Sequence, residues 1–310
     1  MNILVIGGAG YIGSKLCSFL QSVGGSKYKI TCLDTFWFGD YLDFSIKRIK
    51  ADIRTYDFDK LKRYDVVINL AYLSNDPLCE IDSRFTWESG PLALYRILEY
   101  CKKKKIKKFI FASSGSIYGL KKEKKVTEIL GLDPITDYNK SKMICEKVVE
   151  SYNDYFQTII IRPATVCGFS PRLRLDVVLN LFCFQAYFKK KIVVNGGSQT
   201  RPLVHIDDMV RCYYFFIKNN YTGCYNLGFE NKKLIDIAHD VQKIIFCKII
   251  IKKSNDRRSY NINSEKILKI GFKPKFTSTD AILDLRNNFD SKFKPSKKNW
   301  NLNWLREKIF

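Results

Sequence analysis

Short apolar runs alternate along the first half of the chain with longer segments in which apolar residues recur at helical spacing. This alternation predicts a parallel sheet that is buried on both faces and whose strands are connected by helices, an α/β fold of the doubly wound class. The predicted strands span residues 3–6, 29–33, 48–50, 66–70, 109–112 and 158–162. The predicted helices span residues 11–20, 92–103 and 138–155.

The pattern changes after Arg162-Pro163, where a looped segment leads into a helix from about residue 176. Short predicted strands then alternate less regularly with helices, at residues 192–194, 225–227 and 249–251. We therefore expect a first domain over residues 1–168, to which residues 204–228 return. A smaller C-terminal lobe is expected over residues 169–203 and 229–310.

The chain of 310 residues carries a formal net charge of +22, from 53 lysines and arginines against 31 acidic residues. Lysine runs such as 102–105 and 189–191 lie between the predicted elements and are not interleaved with aromatic residues on one element. This placement favours a solvated surface over a nucleic-acid site, although a basic surface would also steer a phosphate-bearing substrate.

Neither a membrane segment nor a metal centre is expected. The start of the chain lacks the basic region of a signal peptide, and the longest apolar stretch, 177–188, is too short to span a bilayer. The ten cysteines are scattered without a C-x-x-C pair, and neither His205 nor His239 has a partner at metal-ligand spacing. Scattered cysteines are typical of a reducing compartment, so we expect a cytoplasmic protein.

A glycine-rich loop at residues 7–13 directly follows the first predicted strand. In the Rossmann arrangement for binding a dinucleotide, Gly7 permits the tight turn, Gly10 lets the backbone approach the pyrophosphate, and Gly13 lets the helix pack close to the strand. The helix that begins with Tyr11 and Ile12 would direct its free N–H groups and its positive dipole end at the phosphates. The alternative is a glycine-rich turn that binds no ligand.

An acidic residue, Asp34, ends the second predicted strand, about 20 residues beyond the last glycine of the loop. At this position a carboxylate accepts a hydrogen bond from the 2′-hydroxyl of the adenosine ribose. Residues 35–37 contain no arginine that would accept a 2′-phosphate. The sequence therefore predicts NAD rather than NADP as the cofactor, and a NAD-binding Rossmann domain over residues 1–168.

Candidate catalytic groups follow the glycine loop in the sequence. Ser114 comes directly after the predicted strand 109–112, at the sheet edge where active groups of parallel sheets collect. Tyr138 and Lys142 are one helical turn apart on the same helix face. The pKa of a free tyrosine is about 10, and a nearby ammonium would lower it toward that of a useful base. The alternative, two surface residues of an amphipathic helix, is less favoured behind a dinucleotide loop and a strand-end serine.

These motifs, in this order, resemble the extended short-chain dehydrogenase/reductase family, in the group of NAD-dependent nucleotide-sugar epimerases and dehydratases that includes UDP-glucose 4-epimerase. The resemblance implies that Ser114, Tyr138 and Lys142 are catalytic and that the C-terminal lobe binds substrate. It further implies cofactor contacts from Gly7, Gly10, Tyr11, Ile12, Gly13, Asp34, Asp52, Ile53, Leu70, Ala71, Tyr138 and Lys142. The implied substrate contacts are Thr165, Asn180, Arg201 and Arg258. Arg172 and Arg174 either reach a phosphate or face solvent.

The chain departs from the family pattern at several positions. Gly90 and Thr165 stand where asparagine is usual, and Asn69 and Tyr72 stand where histidine and alanine are commoner. The 4,6-dehydratases of the family carry an Asp-Glu pair directly after the catalytic hydroxyl, where this chain has Gly115 and Ser116. The resemblance therefore implies a 4-epimerase or a 4-dehydrogenase/ketoreductase of a nucleotide-diphospho-sugar, not a 4,6-dehydratase.

The resemblance also implies a homodimer, and the sequence indicates neither a nucleic-acid nor a membrane partner. A hypothesis of another class is a non-catalytic Rossmann-fold protein that binds RNA through its basic surface. The joint presence of Ser114, Tyr138 and Lys142 favours the enzyme, because a binding module has no use for all three.

Overall fold

A computed structural model describes residues 1–74, 76–121, 123–254, 259–291 and 293–308 of the chain. The strands are β1 Asn2–Ile6, β2 Lys29–Asp34, β3 Lys47–Lys50, β4 Val66–Asn69, β5 Lys108–Ala112, β6 Gln157–Pro163, β7 Thr165–Cys167, β8 Lys191–Asn195, β9 Thr200–His205, β10 Gly223–Leu227, β11 Glu230–Lys233 and β12 Lys248–Lys252. The helices are α1 Tyr11–Gly24, α2 Asp76–Cys79, α3 Ser83–Trp87, α4 Ala93–Lys103, α5 Asp137–Glu150, α6 Val178–Lys189, α7 Ile206–Lys218, α8 Leu234–Ile244, α9 Glu265–Lys269, α10 Ser278–Asp290 and α11 Asn301–Lys308.

Seven strands form one fully parallel sheet in the order β10-β6-β5-β4-β1-β2-β3. The strand order reverses at β1, which lies between β2 and β4. In open sheets of this kind a crevice forms beyond the carboxyl ends of the strands at the reversal. The topology therefore places the first candidate cleft at the ends of β1 and β4.

Successive side chains of β1 enter two different apolar layers. Ile3 and Val5 pack with α1 and α7 on one face of the sheet, whereas Leu4 and Ile6 pack with α4 and α5 on the other. All four are fully buried, as expected for a parallel strand covered on both faces. The predicted doubly wound α/β fold is therefore confirmed.

The strand expected at residues 225–227 is the end of β10, and it extends the large sheet by pairing in parallel with β6. It does not belong to a small sheet of the C-terminal part. The division of the chain at residues 168, 203 and 228 stays a prediction.

Two small sheets lie outside the large one. β9 pairs in parallel with β7 and antiparallel with β11, and β8 pairs in parallel with β12. The sequence analysis found β8 and β12 but missed β7, β9 and β11. Strands β7 and β11 are only three and four residues long, and β9 contains Pro202, a residue that argues against a strand.

The described helices include none with the length and apolar character that crossing a membrane requires.

A buried ion pair connects α5 to β6 beneath the ends of the central strands. Arg162 donates to both carboxylate oxygens of Glu146, with 2.7 Å between Nη2 and Oε2, and the two side chains are 6% and 1% exposed. The Ser113 hydroxyl also donates to Glu146. Arg162 Nη1 donates to the hydroxyl of Tyr118 at 2.7 Å. Because these groups are buried, losing one charge leaves the other without a partner.

We expect Glu146→Gln to lower the free energy of unfolding by about 3–5 kcal/mol, because it leaves the Arg162 guanidinium buried and uncompensated. Chemical denaturation of both proteins measures the difference. The matched control is Glu150→Gln on the same helix, since Glu150 pairs with Lys147 at the surface and should lose about 1 kcal/mol or less. Equal small losses for the two variants would contradict a structural role for the buried pair.

Candidate active site

The first cleft lies at the carboxyl ends of β1, β2 and β4, where the strand order reverses, and encloses about 1060 Å³. All the cofactor residues expected from the sequence outside α5 line it: Gly7, Gly10, Tyr11, Ile12, Gly13, Asp34, Asp52, Ile53, Leu70 and Ala71. Their placement in one cleft is what a dinucleotide site requires, and their individual contacts with NAD stay predictions.

The glycine loop is packed too closely for side chains. Gly7 has φ +83°, and a Cβ added there would lie 2.5 Å from the backbone nitrogen of Ala71. A Cβ at Gly13 would lie 2.2 Å from the Gly7 oxygen. This close packing sets the start of α1 beside the end of β4. The first N–H groups of α1 have no partner within the helix, so they can donate to an anion in the cleft.

Asp34 is fixed at the rim of the same cleft by the backbone. Its Oδ2 accepts a hydrogen bond from the Ala9 N–H at 3.0 Å, and its Oδ1 accepts one from the Phe36 N–H at 2.9 Å. Burial raises the pKa of the Asp34 carboxyl, and these hydrogen bonds partly offset that effect. A fixed carboxylate at this point suits the hydroxyl donors of a ribose and repels a phosphate.

A second cleft of about 1460 Å³ continues directly from the first. Tyr11, Ile12, Leu70, Tyr72 and Ala112 line both clefts. The second cleft also contains the catalytic candidates and two expected substrate contacts: Ser114, Tyr138, Lys142, Thr165 and Arg201. The structure therefore brings the predicted cofactor groups and the predicted catalytic groups to one continuous space.

Ser114 is held at the end of β5 by a small hydroxyl network. Its Oγ lies 2.8 Å from the Oγ of Ser116 and accepts a hydrogen bond from the Ser116 N–H at 3.2 Å. The Ser116 hydroxyl in turn donates to the Oδ1 of Asn139 at 2.6 Å. Ser114 also hydrogen-bonds the side chain of Tyr138. These contacts join a strand-end serine to a helix residue that follows it by 24 positions in the sequence.

Burial shifts the pKa values of both Tyr138 and Lys142. Burial is the largest influence on Tyr138 and raises its pKa, while the hydrogen bond with Ser114 lowers it. The Lys142 ammonium donates to the backbone oxygen of Ala112 at 2.6 Å and lies 3.8 Å from the ring centroid of Tyr72. Burial lowers the pKa of Lys142 itself to about 8. Burial dominates the pKa of Tyr138 in this structure, and the expected lowering of that pKa by Lys142 stays a prediction.

Tyr72 explains the glycine at position 90. Its ring contacts Tyr138 edge-on, with 5.7 Å between centroids, and its hydroxyl hydrogen-bonds the Ser141 hydroxyl. A Cβ at Gly90 would lie 2.5 Å from the Tyr72 hydroxyl oxygen. The two departures from the family pattern are thus one packing arrangement, in which the missing side chain at Gly90 makes room for the large one at Tyr72.

One expected substrate contact, Asn180, does not line either cleft. Asn180 is fully buried, and its amide already donates to Tyr11 Oη at 3.1 Å and to Arg174 O at 2.8 Å, while its Oδ1 accepts from Gly168 N at 3.0 Å. A substrate contact would require these hydrogen bonds to break. The geometry therefore indicates that Asn180 stabilises the loop between β7 and α6. Arg258 lies outside the described residues.

The sequence analysis missed several residues that line the first cleft. Trp37 and Phe38 lie on its wall, together with Asn301 and Leu305 of α11. Trp304 of α11 donates from Nε1 to the Trp37 oxygen at 2.8 Å. The apolar spacing of residues 300–305 is typical of a helix, but it does not show where that helix packs.

Away from the clefts, His205 lies beside two carboxylates. Its Nδ1 and Nε2 are 3.6 Å from Asp207 and 3.7 Å from Asp284. Sequence spacing could not show Asp284 as a neighbour. The Nδ1 atom accepts from the Asp207 N–H, and Lys15 pairs with Asp207 at 3.0 Å. These contacts place a proton on Nε2 and a protein cation beside the acids, an arrangement that does not suit a metal ion.

We expect Gly90→Ala to lower the free energy of unfolding by about 1–3 kcal/mol, because the new methyl group overpacks against the Tyr72 hydroxyl. In a Tyr72→Ala background the same change should cost much less. Thermal unfolding of the four proteins gives the coupling. Gly131→Ala is the control, since no atom lies within 4 Å of a Cβ there. An equal cost of Gly90→Ala in both backgrounds would refute the packing arrangement.

Comparison with known proteins supports an assignment to one family. The NAD dependent epimerase/dehydratase family model matches residues 3–228. An uncharacterized UDP-glucose epimerase of Bacillus subtilis is 31% identical over 228 residues, 68% of this chain and 71% of that protein. A dTDP-D-glucose 4,6-dehydratase of Dictyostelium discoideum is 29% identical over 279 residues, 78% of this chain and 62% of that protein.

A solved structure gives the same result. The UDP-glucuronic acid 4-epimerase from Bacillus cereus, in complex with UDP-glucuronic acid and NAD, matches with a TM-score of 0.84 at 26% identity, over 94% of this chain and 100% of that one. The predictions of an enzyme, of the family and of NAD as cofactor are confirmed. The chain belongs to the NAD dependent epimerase/dehydratase family.

Proposed function

We propose that this protein oxidises a nucleotide-diphospho-sugar at C4, with NAD accepting the hydride and Tyr138 taking the proton of the 4-hydroxyl. The observation that carries the proposal is the continuity of the two clefts. The predicted NAD groups line one cleft, and Ser114, Tyr138 and Lys142 line the other. A sugar in the second cleft would therefore lie between the bound cofactor and the tyrosine.

Three side chains divide the proton chemistry. Ser114 already hydrogen-bonds Tyr138. Its hydroxyl would also donate a hydrogen bond to the reacting sugar oxygen. Tyr138, ionised to its phenolate, would receive the proton on that oxygen as hydride leaves C4 and the C4–O bond becomes a carbonyl. Because the pKa of Lys142 is about 8, its ammonium predominates at neutral pH and supplies positive charge beside the reacting groups. The bound NAD supplies the hydride acceptor.

The substrate class follows from the second cleft and from the relatives. Arg201 reaches the cleft from β9 and Thr165 from the neighbouring strand β7, so a cation and a hydroxyl face the same space. An arginine suits the diphosphate of a nucleotide sugar. The B. subtilis relative is named for UDP-glucose, and the B. cereus structure holds UDP-glucuronic acid. A role for Arg258 at the same diphosphate stays a prediction.

The site favours a 4-epimerase or 4-dehydrogenase/ketoreductase over a 4,6-dehydratase. A Cβ at Gly115 would lie 2.3 Å from Ile262 Cδ1 and 3.1 Å from the Pro163 oxygen, so an acidic side chain has no space there. The Ser116 hydroxyl is committed to Ser114 and Asn139. Neither position offers the acid and base that removal of water from C5 and C6 needs.

A homodimer in the cytoplasm completes the proposal. Apolar side chains are exposed on and beside the adjacent helices α4 and α5, including Leu92, Tyr95, Ile144 and Tyr155. Two copies of this surface could pair across a two-fold axis, the commonest symmetry of oligomers. All ten cysteines are free thiols, as in a reducing compartment. Membership in an enzyme family favours catalysis over the alternative of a non-catalytic RNA-binding protein.

We expect Tyr138→Phe to lower turnover by about 10²–10⁴-fold, the usual contribution of a general base, while NAD binding stays nearly unchanged. The assay measures conversion of a panel of UDP-sugars, with NAD affinity determined separately by calorimetry. Tyr214→Phe on α7 is the matched control and should keep the wild-type rate. A Tyr138→Phe enzyme that retains half of the wild-type turnover would exclude Tyr138 as the base.

We expect every product to keep the 6-oxygen of the sugar, because positions 115 and 116 provide no acid–base pair. Mass spectrometry of reaction mixtures should show a product of unchanged mass for a 4-epimer, or one lighter by two hydrogens for a 4-keto sugar. A product lighter by one water would place the enzyme with the dehydratases and overturn the proposed reaction.

A further inference from the structure

Arg172 is a buried cation on the wall of the first cleft. Its side chain belongs to the loop between β7 and α6 and is only 2% exposed. The centre of its guanidinium lies 3.8 Å from the ring centroid of Phe38. It lines the same cleft as Gly7, Gly10 and Asp34. The sequence left two alternatives open for Arg172, contact with a phosphate or exposure to solvent. Its burial excludes exposure to solvent.

The loop carrying Arg172 is hydrogen-bonded to the first turn of α1. The Arg172 N–H donates to the Ser14 hydroxyl at 3.2 Å. That hydroxyl lies 2.9 Å from the hydroxyl of Ser170, which donates to the Tyr11 backbone oxygen at 2.6 Å. Arg172 is therefore anchored to the helix end whose N–H groups face the cleft and favour an anion.

The charge of Arg172 is not balanced by its hydrogen-bond partners in the part of the chain that the structure describes. Its Nη2 donates to the Lys298 backbone oxygen at 3.1 Å and to the amide oxygen of Asn301, both neutral. Its Nε is buried and has no hydrogen-bond acceptor among the described residues. The neighbouring Arg174, by contrast, pairs with Asp176 at 2.6 Å.

A buried cation of this kind is costly. Burial and the neighbouring Arg174 lower the pKa of Arg172 to about 9, and the carboxylates of Asp176 and Asp34 offset only part of that shift. An anion entering the cleft would restore the missing partner. A guanidinium with a free donor suits a phosphate oxygen in geometry as well as in charge.

We propose that Arg172 binds the diphosphate of the dinucleotide in the first cleft, together with the N-terminus of α1. We favour the diphosphate over a ribose 2′-phosphate because the Asp34 carboxylate would lie beside the ribose and would repel a 2′-phosphate. The inference rests on NAD occupying the first cleft and is independent of which sugar the enzyme uses.

The test compares ligands that all contain adenosine and that differ in whether they carry a diphosphate. Adenosine, ADP and NAD are titrated by ligand-observed NMR into the wild-type protein, Arg172→Gln and Arg172→Lys. We expect Arg172→Gln to raise the Kd of ADP and NAD about 10- to 100-fold, the loss of one charge-assisted hydrogen bond. The Kd of adenosine should stay within about twofold. The Kd values of ADP and NAD for Arg172→Lys should lie between those for the wild-type protein and those for Arg172→Gln. The matched control Arg286→Gln, at an exposed arginine of α10, should change none of these values.

Arg172 also holds Asn301 of α11, so a purely structural role has to be separated. That role would weaken adenosine and ADP equally, and this outcome would overturn the inference, as would unchanged ADP affinity in Arg172→Gln. Wild-type protein that binds neither ADP nor NAD would instead overturn the cofactor cleft itself. If Arg172→Gln does not fold, ¹⁵N labelling of arginine in the wild-type protein gives the answer. The Arg172 Nε–H signal should shift with ADP and not with adenosine, and an unshifted signal would contradict the proposal.

Discussion

The site depends on the docking of residues 168–174 against the first turn of α1. The Tyr11 hydroxyl donates to the Gly168 oxygen at 2.7 Å, and Ser170 donates to the Tyr11 oxygen. Asn180 closes the network from α6. Because Tyr11 and Ile12 line both clefts, these few hydrogen bonds fix the wall that the two clefts share. If the docking were lost, the cofactor groups and the catalytic groups would no longer face one space.

Buried positive charge with neutral hydrogen-bond acceptors is the second feature common to the two clefts. Burial lowers the pKa of Lys142 to about 8 and that of Arg172 to about 9. Their hydrogen-bond acceptors are neutral oxygens and an amide. Folding therefore buries two cations whose hydrogen-bond acceptors among the described residues are uncharged, at a cost in stability that an anionic ligand would offset on binding.

Local spacing made much of this site predictable from the sequence. Gly7, Asp34 and the Tyr138–Lys142 pair each depend on contacts within one strand–turn–helix unit or one helical turn. What the sequence could not show depends on contacts between distant segments. Tyr72 fits against Gly90 only because two loops meet, and Asn301 of α11 reaches the cleft from the far end of the chain. Lys142 lies in the second cleft, but its contact with the Tyr72 ring and its lowered pKa follow from burial, which spacing does not reveal.

The most direct test of the account follows the hydrogen at C4 of the sugar. UDP-sugars deuterated at C4 are mixed with the NAD-loaded enzyme, and the cofactor is released and analysed by mass spectrometry within one turnover. The account predicts deuterium on the reduced nicotinamide, followed by its return to C4 or its accumulation as NADD. Turnover of the sugar with no deuterium ever reaching the cofactor would contradict hydride transfer from C4 and, with it, the proposed function of the joined clefts.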